Sequence, residues 1–545
     1  MSSTGRRKLL VLPLFAAAGV AAFFMGTRGA QAADDPLNQS LRSFTQVYDV
    51  VEQNFADPVK ADKAVYNGAI PGMLRTLDPH SNFFDPKAYA AMRDDQRGRY
   101  YGVGMQVGQR DGKVIVMAPF GGSPAYRAGL RPGDVILEVN DHKTDGLGTP
   151  EVADLLRGPR GTKVTVVVGR QGNDQPISST LIRDEIPRPS VPLAFWLRPG
   201  IAYVQINQFG ETTSKELEDR LKKMGEKDVK GLVLDLRGNP GGLLNEGVDV
   251  AGHFLRKGET VVSHRGRSAS SPNKNYATRN DGTGKDYPVV VLVNRSSASA
   301  AEIVSGALQD HDRGWILGEV TFGKGLVQTV FPLSENTALA LTTAHYYTPS
   351  GRLIQRDYSN LSFLDYYTQA KKEVKSSQDV KMTDSGRTVY GGGGITPDEN
   401  FQPAVLNKFQ IDIKIRKYAF FNFSAKYFGG RDAKLPANWE PSEDLVNEFH
   451  QFLLKEKVEF TEGDFTANHT WVKEELKREM YITAFSLEES NRVEKEQDPA
   501  VQKAIESMPK AKQLLDTAKK QIVERRQAQS QVQAQAQPTP RTRNR

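Results

Sequence analysis

The spacing of hydrophobic and polar residues changes character along the chain, and each change marks a region. Between residues 34 and 97, Leu41, Phe44, Val47, Tyr48, Val51 and Phe55 recur at steps of three and four, which predicts one apolar helical stripe. The stretch 77–86, Leu-Asp-Pro-His-Ser-Asn-Phe-Phe-Asp-Pro, breaks that pattern with turn chemistry. A helical hairpin that packs on its neighbour or on a second chain accounts for this region. From 98 to 183 the period shortens. Runs at 103–107, 114–117, 135–139 and 164–168 read as strands, glycine and proline punctuate them, and 151–157 reads as one short helix. Between 184 and 405 strands alternate with helices. The strands are 201–209, 232–236, 289–293 and 315–317, and the helices are 214–224, 243–255 and 300–309. That rhythm predicts an α/β core. Residues 406–524 are charged with helical spacing. The tail from 525 alternates Gln with small residues, ends in prolines and arginines, and reads as low-complexity and disordered.

Composition narrows the function classes. The chain has 545 residues, 38% hydrophobic and 25% charged, enough for several folded domains. Its net charge of +7 suggests a nucleic-acid partner until it is mapped. Arg6, Arg7, Lys8 and Arg28 in residues 1–32, and five arginines in 525–545, are unopposed by acids, so the body is slightly acidic. No phosphate-binding face follows, and no nucleic-acid partner is expected. Cysteine is absent, which excludes disulfides, thiol catalysis and Cys-ligated zinc. The eight histidines form no metal-ligand spacing, so no metal and no cofactor are expected. Arg6-Arg7-Lys8, an apolar run over 9–25 and Ala30-Gln31-Ala32 together predict a signal peptide or an uncleaved membrane anchor at 1–32. Either one places the body outside the cytoplasm, in the periplasm or cell envelope, the anchor at the inner membrane.

Three stretches could carry chemistry. In the first, an apolar strand ends at Asn294 and Arg-Ser-Ser-Ala-Ser-Ala-Ala-Glu follows. A serine at a helix start sits among free N–H groups that favour negative charge, as an oxyanion requires. Ser296, Ser297 and Ser299 compete for that role, and plain N-capping by any one of them is the simpler reading. The second stretch, Gly318 to Gly325, nearly matches a phosphate-binding loop. It lacks the final hydroxyl, because Gly325 stands where Ser or Thr is needed. Lys324, enclosed by glycines, could instead lose its proton on burial and act as a base, or be a surface lysine. In the third stretch, Asp235-Leu236-Arg237-Gly238-Asn239-Pro240-Gly241-Gly242 follows a buried strand, and its glycines allow close backbone approach.

Taken together, 294–302, Thr321-Phe322-Gly323-Lys324-Gly325 with Gln328, 232–242 and 77–84 resemble the carboxyl-terminal-processing (tail-specific) serine peptidases, collinearly over about residues 40–400. The resemblance implies Ser299 as nucleophile, because that serine precedes the lysine by the family's spacing. It also implies Lys324 as base, Gln328 as the lysine's partner, and the N–H groups of Gly242 and Ala300 as oxyanion hole. Ala301 departs from the family's usual serine at a non-catalytic position. The β-rich module resembles a PDZ domain. Its carboxylate-binding loop would be Gly102, Val103, Gly104 and Met105, with Val152, Leu155 and Leu156 as pocket walls and Arg157 and Arg160 solvated.

The expected architecture is multidomain α/β, with a crotonase-like peptidase core (184–405) and an inserted PDZ domain (98–183). An N-terminal helical region (33–97), a C-terminal helical extension (406–524) and a disordered Gln/Arg tail (525–545) complete it. The expected activity is endoproteolysis of proteins with exposed C-termini by an exported enzyme, itself a homo-oligomer with room for an adaptor. Two rival readings compete with this one. A trypsin-like protease needs a His-Asp-Ser set with a GNSGG-type loop, which is missing. A non-enzymatic PDZ scaffold has no use for Ser299, Lys324 and Gln328 together.

Overall fold

The computed structural model describes residues 36–536, apart from 270, 280–281, 283–284, 360–364, 367–378 and 430–432. The basic, apolar leader at 1–32 and the last nine residues of the tail lie outside the described residues. Among the described residues no helix is long and apolar enough to cross a membrane. The chain divides into two units at Thr76/Leu77.

The first unit is helical. Helix α1 (Pro36–Asn54) carries Leu41, Phe44, Val47 and Val51 as an exposed stripe. Ala61–Ala64, a π-helical turn at Val65–Ala69 and Ile70–Arg75 follow.

The second unit opens with a feature that the turn reading of 77–86 did not include. A short strand, β1 (Asn82–Phe84), leads to α2 (Pro86–Gln96), which is capped by Asp85 through the N–H of Ala88. Strand β2 (Arg99–Gly102) enters the β-rich module. The module contains β3 (Met105–Arg110), β4 (Lys113–Pro119), β5 (Val135–Val139), β6 (His142–Lys143), α3 (Thr149–Leu156), β7 (Lys163–Gly169) and β8 (Ile177–Ile182). The sheet order is β3-β4-β5-β7-β8 with β6 on β5, and β9 (Asp184–Pro187) returns antiparallel to β2. Inward positions of β4 and β7, such as Val114, Val116, Val164, Val166 and Val168, are fully buried, as strand alternation requires.

The α/β rhythm of 184–405 is present. Strand β10 (Leu193–Arg198) pairs antiparallel with β11 (Ile201–Gln205). Then come α4 (Thr213–Met224), β12 (Gly231–Asp235), α5 (Leu244–Gly252), β13 (Thr260–Gly266), β14 (Lys274–Ala277), β15 (Val289–Val293), α6 (Ala300–Asp310) and β16 (Trp315–Gly318). Strands β17 (Leu326–Pro332), β18 (Ala338–Tyr347) and β19 (Glu399–Asn400) follow. The central sheet runs β10-β11-β12-β15-β16-β19 and is parallel from β11 onward. A second, antiparallel sheet, β1-β18-β13-β14 with β17 on β18, was not anticipated. Its strands are half-buried and carry Thr and Ala where the strand signal expects larger apolar residues.

Every residue of β12 and β15 is buried, so both faces of the sheet must be covered. One face packs Leu232, Leu234, Val289 and Val291 under α5 and α6. The opposite face packs Val233, Val290 and Leu292 under residues from the C-terminal extension, Val501, Ala504 and Met508. That extension comprises α7 (Ala419–Gly429), α8 (Glu443–Lys455), α9 (His469–Ala484), α10 (Leu487–Gln497), α11 (Pro499–Glu506) and α12 (Met508–Ala536). Helices α7 to α9 form their own aromatic core around Phe420, Phe423, Phe449 and Phe452. Helix α12 continues to Ala536, into the segment expected to be disordered, where Gln and Ala are good helix formers.

Candidate active site

Strands β12, β15 and β16 are parallel neighbours, so their carboxyl ends lie side by side. The loops leaving those ends are the three stretches singled out from sequence, which makes this edge the natural place for a site. Asn294 ties two of them together: its side-chain oxygen accepts from the N–H of Gly238 (2.9 Å) and of Ser296 (3.1 Å). The N–H of Phe322 donates to the Ser297 carbonyl (2.9 Å) and draws in the third.

The competing serines differ in what surrounds them. Ser296 is exposed. Ser297 is fully buried, and its hydroxyl is committed to the Leu236 carbonyl at 2.8 Å. Ser299 is half-buried at the start of α6, with φ +54° and ψ −115°. That conformation favours glycine, and a side chain held there marks stored strain of about 1–3 kcal/mol.

Gly241 and Gly242 sit against this serine. A Cβ on Gly241 would lie 2.6 Å from Ser299 Cβ, and one on Gly242 would lie 2.2 Å from the Phe209 carbonyl oxygen. No other residue fits either position. The Gly241 carbonyl accepts from Phe209 N–H (2.9 Å) and Leu243 N–H donates to the Phe209 carbonyl (2.8 Å). Among the described residues, the N–H groups of Gly242 and Ala300 donate to no protein acceptor. A helix start leaves such groups free, and two of them next to a hydroxyl suit an anionic oxygen.

Lys324 follows β16, and burial pushes its ammonium below the ordinary lysine range, against the raising influence of Glu302 and Asp78. Its Nζ donates to Gln328 Oε1 at 2.8 Å. Gln328 lies at a bulge in β17, opposite Thr342 of β18. Among the described residues, no hydrogen bond joins Lys324 Nζ to Ser299 Oγ.

Two side chains without a sequence-derived role hold Ser299 and Lys324 in register. Glu302 is wholly buried on the first turn of α6. Its Oε2 accepts from the backbone N–H of both Ser299 and Lys324, at 2.9 Å each. Its Oε1 accepts from Gly323 N–H (2.7 Å) and Thr321 Oγ1 (2.5 Å). Burial raises its pKa and these donors oppose that rise. Three of the four partners are backbone N–H groups, which can only donate and so favour the carboxylate form. Tyr346, also buried, donates its hydroxyl toward the carbonyls of both Ser299 (3.1 Å) and Lys324. Glu302 had a legible signal: Ser299-x-x-Glu302 is a capping-box pattern. Tyr346 had none.

In the β-rich module, Gly102 ends β2, Met105 begins β3, and Val103 and Gly104 lie between. The Val103 carbonyl accepts from Ala125 N–H (2.8 Å), and the Gly104 carbonyl from Phe120 N–H (3.0 Å) and Ser123 Oγ (2.7 Å). The N–H groups of Val103 and Gly104 find no protein acceptor among the described residues. Val152 and Leu156 belong to the module's core rather than to an open wall, and Leu155 packs at its edge. Arg157 and Arg160 are exposed.

Comparison with known proteins identifies the family. Residues 200–359 match the profile of peptidase family S41, 116–170 that of a PDZ domain, and 24–88 that of the activating protease CtpB N-terminal domain. The chain is 40% identical over 321 residues to a carboxy-terminal-processing protease of Bartonella bacilliformis, covering 58% of this chain and 73% of the relative. It is 33% identical over 365 residues to the carboxy-terminal processing protease CtpA of Bacillus subtilis, covering 65% and 75%. Among solved structures, a photosystem II D1 C-terminal processing protease is 31% identical, with 67% of this chain and 88% of that chain covered and a TM-score of 0.34. The chain belongs to the carboxy-terminal-processing proteases of peptidase family S41, serine-type peptidases, and carries a PDZ domain.

Proposed function

We propose that this protein is an exported endopeptidase in which Ser299 is the nucleophile and Lys324 the general base, acting on proteins whose C-termini are bound by the PDZ domain. One observation carries the reading. A single buried carboxylate, Glu302, holds the backbone of Ser299 and of Lys324, so the two residues share one rigid support. Burial favours the neutral amine of Lys324, and the amine takes the proton from Ser299 Oγ as the hydroxyl attacks the scissile carbonyl. The N–H groups of Gly242 and Ala300 receive the developing oxyanion. Lys324 then protonates the leaving amine, and water repeats the sequence to release the acyl group. Gln328 holds Nζ before substrate arrives, and the Ser299–Lys324 hydrogen bond forms in the substrate complex, where such contacts tighten.

The free N–H groups of Val103 and Gly104 support capture of a terminal carboxylate by the PDZ loop, with a peptide strand added alongside β3. The leader at 1–32 supports export to the periplasm or envelope. The exposed apolar stripe of α1 supports a homo-oligomer or an adaptor partner.

The decisive experiment is covalent labelling with a fluorophosphonate probe. Wild type should label and cleave. Ser299→Ala should do neither while melting like wild type, since the serine and its base act as one unit. Labelling that survives in Ser299→Ala moves the nucleophile elsewhere, and no labelling in wild type favours a PDZ scaffold. Amidating a substrate's C-terminus should slow its cleavage, because charge-assisted bonds to the PDZ loop are lost. Equal rates for amidated and free-acid substrates would remove C-terminal recognition from the reading.

A further inference from the structure

Hydrogen bonds converge on the carboxylate of Asp78, a buried residue before β1 that has no part in the scheme above. Oδ1 accepts from the backbone N–H of His80 (2.7 Å) and Ser81 (2.8 Å) and from Thr342 Oγ1 (3.2 Å). Oδ2 accepts from Ser81 Oγ (2.6 Å). Ser81 Oγ in turn accepts from Thr342 N–H (3.2 Å). The carboxylate thus closes the 78–81 turn on itself and fastens it to β18. Burial opposes its ionisation, but the hydrogen bonds prevail and hold the carboxyl below its ordinary range.

The place where the turn is fastened matters. Thr342 is the cross-strand partner of Gln328. The His80 carbonyl therefore stands over Gln328 and accepts from its Nε2. A carbonyl can only accept. The amide must present its NH2 group to His80, which leaves Oε1, the acceptor, for Lys324 Nζ at 2.8 Å. A reversed amide would set carbonyl against carbonyl at one end and NH2 against the amine at the other. Without this outer carbonyl the orientation would rest on Lys324 alone, and a neutral amine, which can both donate and accept, does not fix it.

The His80 ring takes a different part. Its Nε2 is 2.9 Å from the Tyr366 hydroxyl, and it packs edge-on to Phe322 and Tyr366. Burial, reinforced by the charge of Lys324, pushes the imidazole down to about 4, so it is neutral at neutral pH. The ring is a wall, and the backbone of the same residue reaches the site.

We propose that Asp78 is a positioning residue for Lys324: it locks the 78–81 turn so that the His80 carbonyl orients Gln328, whose Oε1 holds the lysine amine. The proposal rests on the reading above, in which Lys324 and Gln328 serve the reaction. It assigns a role to the turn-rich stretch that had only a structural reading in the sequence.

The test is a double-mutant cycle on the full chain, reading kcat and KM for a short peptide together with a thermal melt. Asp78→Ala should lower kcat roughly ten- to a hundredfold, the usual cost of a small misplacement of a catalytic group. KM should stay within about twofold, because ground-state binding is untouched. Asp78→Asn keeps an acceptor oxygen for the turn and should recover most of the rate. Asp78→Ala added to Gln328→Ala should cost nothing further, because both substitutions interrupt one relay. Losses that multiply in the double variant, or a loss confined to KM, overturn the proposal. If the alanine variant does not fold, Ser81→Ala, which removes the hydroxyl joining the Asp78 carboxylate to Thr342, takes its place in the cycle, with the same two outcomes decisive. A fully active Gln328→Ala would instead strike the assignment of Gln328 itself, whereas an impaired Gln328→Ala with independent Asp78 effects strikes the relay alone.

Discussion

Two places in the molecule bind distant segments through a buried charge, and they do so in opposite ways. In the peptidase core, Glu302 accepts four hydrogen bonds from two segments, one at Ser299 and one over 321–324, and both carboxylate oxygens are satisfied. At the contact between the PDZ domain and the C-terminal extension, Arg110 at the end of β3 lies between the rings of Tyr418 and Phe421, 4.0 and 4.1 Å from their centroids. Its Nη1 donates to Asn422 Oδ1 at 2.5 Å, but Nε and Nη2 are buried without a hydrogen-bond partner among the described residues. Burial accordingly lowers the guanidinium pKa. A buried charge with every hydrogen bond made is costly to remove. One with orphaned donors adds little net stability, because its desolvation cost offsets the contacts. Glu302 therefore fastens the candidate site, while Arg110 itself contributes little to holding the PDZ domain against the C-terminal helices.

The contrast can be broken first at Glu302. Glu302→Ala strands three backbone N–H groups and a hydroxyl, so it should destabilise by roughly 3 kcal/mol or more and abolish peptide cleavage. Glu302→Gln keeps the shape but puts an NH2 group among donors, so it should recover stability before activity. Fluorophosphonate labelling and thermal melts separate the two effects. Wild-type labelling in Glu302→Ala would show that the shared carboxylate is not what holds Ser299 and Lys324 together.

The pH profile sharpens the same side of the comparison. The lysine must be neutral to accept a proton, so kcat/KM should rise as pH climbs through the lowered pKa of Lys324. Lys324→Arg, which stays charged, should be inactive at every pH. His80, already neutral above about 4, should contribute no rise between pH 5 and 8. A rise near pH 6.5 that vanishes in His80→Asn would transfer the base role to histidine.

The smallest effect is expected at Arg110. Replacing it by methionine, which fills the space between the rings without orphaned donors, should change stability by no more than about 1 kcal/mol. A destabilisation comparable to that of Glu302→Ala would erase the contrast drawn here.

Legibility in the sequence followed locality. The three loops of the candidate site could be found because each leaves a short, largely apolar strand and carries small residues. Buried β12 and β15 announce themselves without reference to anything remote. What covers their second face could not be found, since Val501, Ala504 and Met508 lie more than 200 residues further along the chain. Asp78 was hidden for the same reason: its link to Thr342 spans 264 residues, and an aspartate before a proline reads as turn chemistry alone. Glu302 falls between these cases. Its partner Ser299 is local and forms a capping-box pattern, but its hold on Gly323 and Lys324 is not local. The antiparallel sheet was missed because β17 is mostly half-buried, and β18 buries Ala338, Ala340 and Ala344 while its larger Leu339 and Leu341 face outward.

The conformation of Ser299 has a consequence for evolution in the test tube. The residue sits at φ +54°, where glycine is at ease and every other amino acid is strained. Substitution by glycine would release about 1–3 kcal/mol of strain and give back only about 0.5–1 kcal/mol through a looser unfolded chain. A library of this protein selected for heat resistance alone would thus tend to enrich Ser299→Gly, a more durable and silent variant. With Ser299 as the nucleophile proposed above, the hydroxyl is kept in an uncomfortable place for the sake of proteolysis, and a screen that stops measuring it invites the molecule to relax out of that function.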